Sequence, residues 1–138
     1  MDEKLLRKLL KCDTEPDWLD FKQELKLYSA EGKLKNEQER DELIKDILGL
    51  ANGNTRIIRK TKYLIIGADD KIFTEDGMRV LHNVDYKIPT QGQISQWVND
   101  ACTPAVVGIE RDIEEIDGKQ LCVITIPPTY EVHETTRD

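Results

Sequence analysis

The sequence predicts an α+β fold in which helices alternate with the strands of one mixed sheet. Three observations support this prediction. Apolar residues recur at helical spacing in some stretches, they alternate or run unbroken in others, and turn-forming residues separate these stretches. The predicted order is a short N-terminal helix followed by β-α-β-α-β-β. With 138 residues, the chain has the size of a single domain with one core, and we expect residues 1–138 to form it.

Three stretches have the spacing of amphipathic helices. Their predicted ranges are 3–11, 36–51 and 91–102. Asn36 can cap the second helix, and Glu39 stands three residues later, as in a capping box. Trp97 lies on the apolar face of the third helix, so we expect it in the core.

Four stretches are predicted to be strands, with the ranges 17–27, 62–68, 105–116 and 119–126. The run 63–66 is apolar without a break, which indicates a central strand that is buried on both faces. Asp117-Gly118 favours a two-residue hairpin, because a type I′ turn needs positive φ at both positions. Residues 71–90 are predicted to be irregular.

Composition limits the class of protein. The chain is 38% apolar and 34% charged, which is typical of globular proteins. No apolar stretch is long enough to span a bilayer, and the N-terminus does not resemble a signal peptide, so no membrane partner is expected. Cys12, Cys102 and Cys122 are odd in number and widely spaced, without a zinc pattern. They predict reduced, mostly buried thiols in a cytoplasmic protein. His82 and His133 have no second ligand at a metal spacing and are expected at the surface.

A basic cluster is the first candidate for function. The net charge of −7 argues against a simple nucleic-acid-binding protein, because phosphate binding depends on Lys and Arg. A segregated group of cations follows the second helix, and we call it the basic cluster: Arg56, Arg59, Lys60 and Lys62. It predicts contacts with nucleic-acid phosphates. A solvated connector that docks Ile57 and Ile58 on the core is an equally open alternative.

The segment 15–22 places charges on a predicted strand. Alternation puts Leu19 and Phe21 on one face, whereas Trp18, Asp20 and Lys22 share the other, open face. Trp18 is a candidate for stacking on an unpaired base, and the alternative is packing under the N-terminal helix.

A second acidic pair, Asp69-Asp70, ends the apolar run of the next strand. If the two strands are neighbours, their carboxylates converge with Glu15, which stands just before the first strand. The alternative is that Asp20 and Lys22 form an exposed pair of little energetic weight, while Asp69-Asp70 is only a polar strand end.

Three blocks resemble the Schlafen AlbA_2 family, also called divergent AAA-4 and described as DNA-binding. Residues 15–22 are similar to the family's opening E-x-x-x-L-E-F-K. Residues 44–52 followed by 63–70 resemble A-F-A-N and G-G-x-L-x-I-G-V-D-D. Residues 122–128 resemble the final V-x-I-x-V-P-P-S. Two departures are Asp20 in place of Glu and the absence of the Gly-Gly pair.

The resemblance implies an Alba-like fold and a nucleic-acid-binding module of a prokaryotic transcriptional regulator or helicase-related protein, often fused to other domains. In the Schlafen branch, a related fold cleaves tRNA and rRNA with three acidic residues. Carried over by motif, these are Glu15, Asp20 and Asp70, which would also hold a Mg²⁺ or Mn²⁺ ion. Lys22 would then support the phosphate electrostatically.

The leading prediction is a nucleic-acid-binding domain that uses the basic cluster and Trp18, without enzymatic activity and without a cofactor. The absence of a G-x-x-x-x-G-K-[ST] loop argues against ATP binding. Two alternatives stay open. One is a metal-dependent endoribonuclease, and the other is a protein-interaction or homodimerisation module, which fits the acidic net charge best. We expect the chain to be the N-terminal part of a longer protein.

Overall fold

A computed structural model of the chain describes residues 1–53, 60–129 and 131–136. In chain order, the elements of this part are α1 (Glu3–Leu10), β1 (Leu19–Lys22), α2 (Glu37–Ala51), β2 (Lys62–Ile66), β3 (Ala68–Phe73), β4 (Arg79–Leu81), α3 (Gln91–Asp100), β5 (Cys102–Thr103), β6 (Glu110–Ile116), β7 (Lys119–Ile126) and β8 (Glu134–Thr135).

A four-stranded mixed sheet forms the centre, with the spatial order β1-β2-β7-β6. β1 runs parallel to β2, with Asp20 opposite Leu64, and the other neighbours are antiparallel. Asp117 and Gly118, both with positive φ, connect β6 to β7. The predicted α+β fold with a mixed sheet and a short N-terminal helix is confirmed. β3 pairs with β4, and β5 with β8, in two separate ribbons.

The sheet separates two apolar cores, because alternate side chains of each strand point to opposite faces. α2 and α3 cover one face, where they pack on residues such as Leu64, Cys122 and Ile124. α1 and the β3–β4 hairpin cover the other face, where Leu6 and Leu10 belong to the same cluster as Phe21, Ile65 and Val123. β1 is the outermost strand on one side of the sheet, and its polar residues Asp20 and Lys22 lie on the face that α2 covers, opposite Leu64 and Ile66.

Local contacts test two helix predictions. Asn36 Oδ1 accepts a hydrogen bond from Glu39 N at 3.0 Å, so Asn36 caps α2 as predicted. Glu39 reaches back to the side-chain amide of Asn36 rather than to its backbone. Trp97 is only partly buried, with the guanidinium of Arg40 6.0 Å from its ring centroid, although it packs on the core as expected.

Gly67 explains why the predicted strand 62–68 divides in two. Its φ is +99°, a conformation that favours glycine, and it ends β2 just before β3 starts. A Cβ at this position would lie 2.8 Å from His82 O and 2.9 Å from Val84 Cγ2. The Gly67 N–H donates to Lys22 O, and Lys22 is the last residue of β1. The first strand is therefore much shorter than the predicted 17–27.

Other boundaries also differ from the predictions. The prediction that 71–90 is irregular is wrong, because the second half of β3 and all of β4 lie there, and the two strands form a hairpin around Gly77. The strand predicted over 105–116 begins only at Glu110. Among the described residues, no helix is both long enough and apolar enough to cross a bilayer.

The three cysteines are free thiols. Cys102 and Cys122 are buried, as predicted, and Cys12 is half-buried. Burial raises the pKa of Cys122 to about 11 and also raises the pKa of Cys102. These two thiols are therefore in the weakly nucleophilic neutral form at physiological pH.

The histidines differ from each other in their surroundings. His133 is 3% exposed, with Nδ1 2.6 Å from Pro104 O and Nε2 2.8 Å from Thr129 Oγ1, so its predicted surface position is wrong. His82 is partly exposed, and its Nε2 lies 2.9 Å from the buried carboxylate of Asp69.

Candidate nucleic-acid interface

Three carboxylates meet near the outer strand of the sheet, and we call Glu15, Asp20 and Asp70 the carboxylate cluster. Glu15 precedes β1, Asp20 lies on β1, and Asp70 lies on β3. Desolvation and the adjacent Asp20 carboxylate, which shares a hydrogen bond with Glu15, raise the pKa of Glu15 to about 7. The charge of Asp70 raises it further. The structure thus brings Glu15 and Asp20 into contact, with Asp70 close enough for its charge to act on Glu15.

The carboxylate cluster does not form a ready metal site. Within the residues that the structure describes, no group of three or more His, Cys, Asp or Glu side chains is arranged to hold a metal ion. The predicted ligand set of Glu15, Asp20 and Asp70 is therefore not assembled in this structure.

Asp69 and Asp70 point in different directions because they alternate on β3. The carboxylate of Asp69 is buried, and it accepts hydrogen bonds from Lys71 N at 2.9 Å and Ile72 N at 2.8 Å. The hydrogen bond with His82, together with these two backbone bonds, lowers the pKa of Asp69. Asp70 instead accepts a hydrogen bond from Gln23 Nε2 at 3.2 Å. Asp69 is thus part of the folded framework, whereas Asp70 joins the carboxylate cluster.

Arg79 connects the segments that carry the carboxylate cluster through hydrogen bonds to both of them. The sequence analysis did not identify this residue. Its side chain is only 1% exposed. Nη1 donates to Asp69 O at 3.0 Å, and Nη2 donates to Cys12 O at 2.8 Å. The guanidinium also lies 3.8 Å from the ring centroid of Phe21 and 4.7 Å from that of Phe73.

The two carbonyl groups bonded to Arg79 are close in sequence to the carboxylate cluster. Cys12 stands three residues before Glu15, and Asp69 is next to Asp70. The positive charge of Arg79 also opposes the rise in the pKa of Glu15. Nothing in the local sequence pointed to this role, because the stretch around Arg79 has no long periodic pattern.

α2 covers the face that was predicted to be open. Asp20 and Lys22 do share one face, but Lys22 Nζ lies 2.9 Å from Asp46 Oδ2 on α2. A cleft of about 410 Å³, which we call the β1 cleft, separates α2 from the segment that enters β1. Its polar lining includes Glu15, Asp20 and Lys45. The pairing with Asp46 leaves Lys22 less free to contact a phosphate than predicted.

The basic cluster is only partly described. Arg56 and Arg59 lie outside the described residues. Lys60 is exposed, and its ammonium group lies 4.0 Å from the ring centroid of Trp18. The expectation that Lys62 is a surface cation is wrong: it is 0% exposed and donates to Ala51 O at 2.9 Å. Burial lowers the pKa of Lys62, which satisfies a carbonyl group at the C-terminal end of α2.

Trp18 packs under α1, as the alternative reading predicted. It is partly buried in the cluster that contains Leu6 and Leu9, together with Cys12 and Tyr63. Trp18 precedes the first residue of β1, so it does not follow the alternation that placed it with Asp20. Its ring is half-covered, with Lys60 at its accessible side.

The fold and the carboxylate cluster define an α+β domain with an acidic site at the outer strand of a mixed sheet. The chain belongs to the Schlafen AlbA_2 family, whose model matches residues 15–138. A comparison with curated proteins gives no match.

Two solved structures show the same fold. The N-terminal domain of an ATP-dependent DNA helicase RecG-related protein from Nitrosomonas europaea is 14% identical, with a TM-score of 0.60, over 97% of this chain and 79% of that chain. The DIP2311 protein from Corynebacterium diphtheriae is 18% identical, with a TM-score of 0.52, over 87% of this chain and 22% of that chain. At these identities, the similarity is evidence for the fold alone.

Proposed function

We propose that this chain is a nucleic-acid-binding domain, whose contact surface surrounds the β1 cleft. The observation that carries the proposal is the pair of Lys60 and Trp18, in which an exposed ammonium group lies over a partly exposed aromatic ring. A cation beside an aromatic surface suits a phosphate followed by a base. Membership of a family described as DNA-binding supports the same reading.

Charge determines which part of the surface can receive phosphates. The chain is acidic overall, and the β1 cleft contains Glu15, Asp17 and Asp20, which repel a phosphate backbone. Lys45 lines the same cleft, and among the described residues no carboxylate lies within 4.0 Å of its ammonium group. Lys45, which lines the cleft, and Lys60, which lies over the ring of Trp18 next in sequence to the cleft residues Asp17 and Leu19, are the cations that we propose to hold a backbone.

Fluorescence anisotropy with labelled oligonucleotides tests the proposal. The probes are single-stranded and duplex DNA and RNA, each titrated at several salt concentrations. We expect affinity to fall steeply with salt, and Lys60→Ala to reduce the slope of log K against log salt by about 1, as expected for the loss of one phosphate contact. Lys33→Ala is the matched control, because Lys33 is an exposed lysine in the loop before α2. No salt-dependent binding of any probe would refute the proposal.

A second candidate is phosphodiester cleavage by the carboxylate cluster. The observation that favours it is the raised pKa of Glu15, about 7, which suits a group that exchanges a proton near neutral pH. As an endoribonuclease, the domain would also need Mg²⁺ or Mn²⁺ held by Glu15, Asp20 and Asp70, which requires these carboxylates to move closer together.

Incubation of the protein with tRNA tests cleavage. We expect Asp70→Ala to abolish any cleavage that depends on Mg²⁺ or Mn²⁺. Asp17→Ala is the matched control, since this exposed carboxylate lines the β1 cleft outside the cluster and its loss should not lower the rate. Equal rates in both variants would exclude the carboxylate cluster as the catalytic site.

The homodimer stays a prediction. Analytical ultracentrifugation, which measures the mass of the protein in solution, tests it.

A further inference from the structure

We infer that a second polar pocket, next to the carboxylate cluster, receives an unpaired base of a single-stranded nucleic acid. The inference rests on the proposed function and adds a subsite to it. The pocket lies between residues 23–26, which follow β1, and residues 82–86, which follow β4. We call it the histidine pocket. Its volume of about 280 Å³ is close to the lower limit of small-ligand sites.

Three side chains of the histidine pocket are held at one end and free at the other. Asn83 Oδ1 accepts a hydrogen bond from Gln120 N at 2.7 Å, which leaves Nδ2 as a donor. Gln23 Nε2 donates to Asp70, which leaves Oε1 as an acceptor. His82 Nε2 lies 2.9 Å from the carboxylate of Asp69, which leaves Nδ1 outside this contact. These groups are fixed in place before any ligand arrives, so ordering them costs little.

The charges of the pocket favour a neutral base over a phosphate. Glu24 and Asp85 contribute two carboxylates, whereas Lys26 contributes one ammonium group, already 3.5 Å from Glu24 Oε2. A phosphate would therefore meet a net negative charge. A base is neutral and carries both donors and acceptors on its edges, which match the amide and imidazole groups of the pocket.

Tyr86 supplies an aromatic ring at the same place. Its hydroxyl accepts a hydrogen bond from Leu25 N at 3.0 Å, which holds the ring at the pocket wall. The ammonium group of Lys26 lies 5.4 Å from the ring centroid. Aromatic rings of this kind stack on unpaired bases, whereas bases of a duplex are already stacked and paired. The expected ligand is therefore single-stranded.

Gln23 joins the histidine pocket to the carboxylate cluster, since it lines the pocket and contacts Asp70. A strand that passes the cluster along β1 would place a neighbouring base at the pocket. The pocket thus would select for an unpaired nucleotide beside the cluster.

Proton NMR of the histidine rings tests the subsite. His82 and His133 are the chain's two histidines, and the buried His133 serves as an internal reference in the same spectrum. The probes are adenosine and uridine, which carry no phosphate, and short single-stranded RNA and DNA. We expect each oligonucleotide and at least one nucleoside to shift the His82 resonances and to leave those of His133 unchanged.

Asn83→Asp provides an independent readout, because it keeps the oxygen that accepts from Gln120 N and removes the free donor. Asn99→Asp is the matched control, since Asn99 Oδ1 accepts from Val106 N at 2.9 Å in the same way on α3. We expect Asn83→Asp to weaken oligonucleotide binding at least about fivefold, because it removes one hydrogen-bond donor and adds a carboxylate to the pocket. Asn99→Asp should stay within about twofold of the wild type.

The outcomes separate the two proposals. Salt-dependent oligonucleotide binding with unmoved His82 resonances and equal affinities of the two Asn variants would overturn the subsite and leave the proposed function standing. Nucleosides that shift His82 without any oligonucleotide binding would support a nucleoside pocket and overturn the proposed function. If no probe binds and none shifts the His82 resonances, both proposals are overturned.

Discussion

Replacing Arg79 with Met tests whether one buried guanidinium holds the site together. The substitution keeps the length and the apolar stem of the side chain, but it removes the donors to Cys12 O and Asp69 O. Two carbonyl groups then lose a partner inside the protein. We expect the variant to fold with reduced stability and with the segments before Glu15 and Asp70 less firmly connected.

The expected loss in the free energy of unfolding follows from the contacts that Arg79 makes. Each hydrogen bond from a charged group contributes about 1.5–3 kcal/mol, and the ring contacts with Phe21 and Phe73 add about 1 kcal/mol. The loss is partly offset because Met removes a desolvated cation, whose Nε has no hydrogen-bond partner among the described residues. We therefore expect the free energy of unfolding to fall by about 3 kcal/mol. That is a large fraction of the stability of a typical domain.

Urea unfolding followed by Trp fluorescence measures this effect, with Arg40→Met as the matched control. Arg40 also lies near an aromatic ring, 6.0 Å from the centroid of Trp97, but its ion pair is with the adjacent Asp41. The control should lose less than about 1 kcal/mol. If Arg79→Met lowers the free energy of unfolding no more than this control, the hydrogen bonds of Arg79 to Cys12 O and Asp69 O do not stabilise the segments before Glu15 and Asp70, and the proposed role of Arg79 is wrong.

Three further predictions concern ionisation and exposure. Folding raises the pKa of Glu15 from 4.5 to about 7, so the wild type should lose stability as pH rises through this range. The loss should be less than about 1 kcal/mol, because Glu15 is exposed to solvent. Urea titrations at pH 5 and pH 8 measure it, and Glu15→Gln should abolish it. Lys62→Met should leave oligonucleotide affinity and salt slope unchanged in anisotropy titrations, because Lys62 is buried. Iodoacetamide at pH 8 should alkylate Cys12 in the folded protein while Cys102 and Cys122 stay unmodified, as measured by mass spectrometry.

The long elements could be predicted because their patterns repeat. α2 and α3 have enough turns to show a 3.6-residue period, and β7 enough residues to show a buried strand. The hairpin of β3 and β4 could not be recognised in this way. β4 is three residues long, and β3 has three polar residues in a row, so neither has a period that distinguishes it from a loop.

The site was predictable where motif and alternation agreed. The approach of Glu15, Asp20 and Asp70 followed from placing the first two predicted strands side by side, and β1 and β2 are neighbours in the structure. The placement of Trp18 and Lys62 failed for different reasons. Trp18 precedes the pleated segment, and Lys62 begins a strand whose first residue faces the end of α2. Arg79 was missed because its partners are backbone carbonyl groups, which leave no signal in the sequence.

The leucines of α1 give the first residues of the chain an importance that the family's boundaries do not suggest. The match begins at residue 15, whereas α1 ends at Leu10 and buries Leu6, Leu9 and Leu10 against the sheet. A shortened protein that starts at residue 15 would expose Phe21 and its neighbours to water, and patches of this kind promote aggregation. A shortened form of this domain should therefore retain α1.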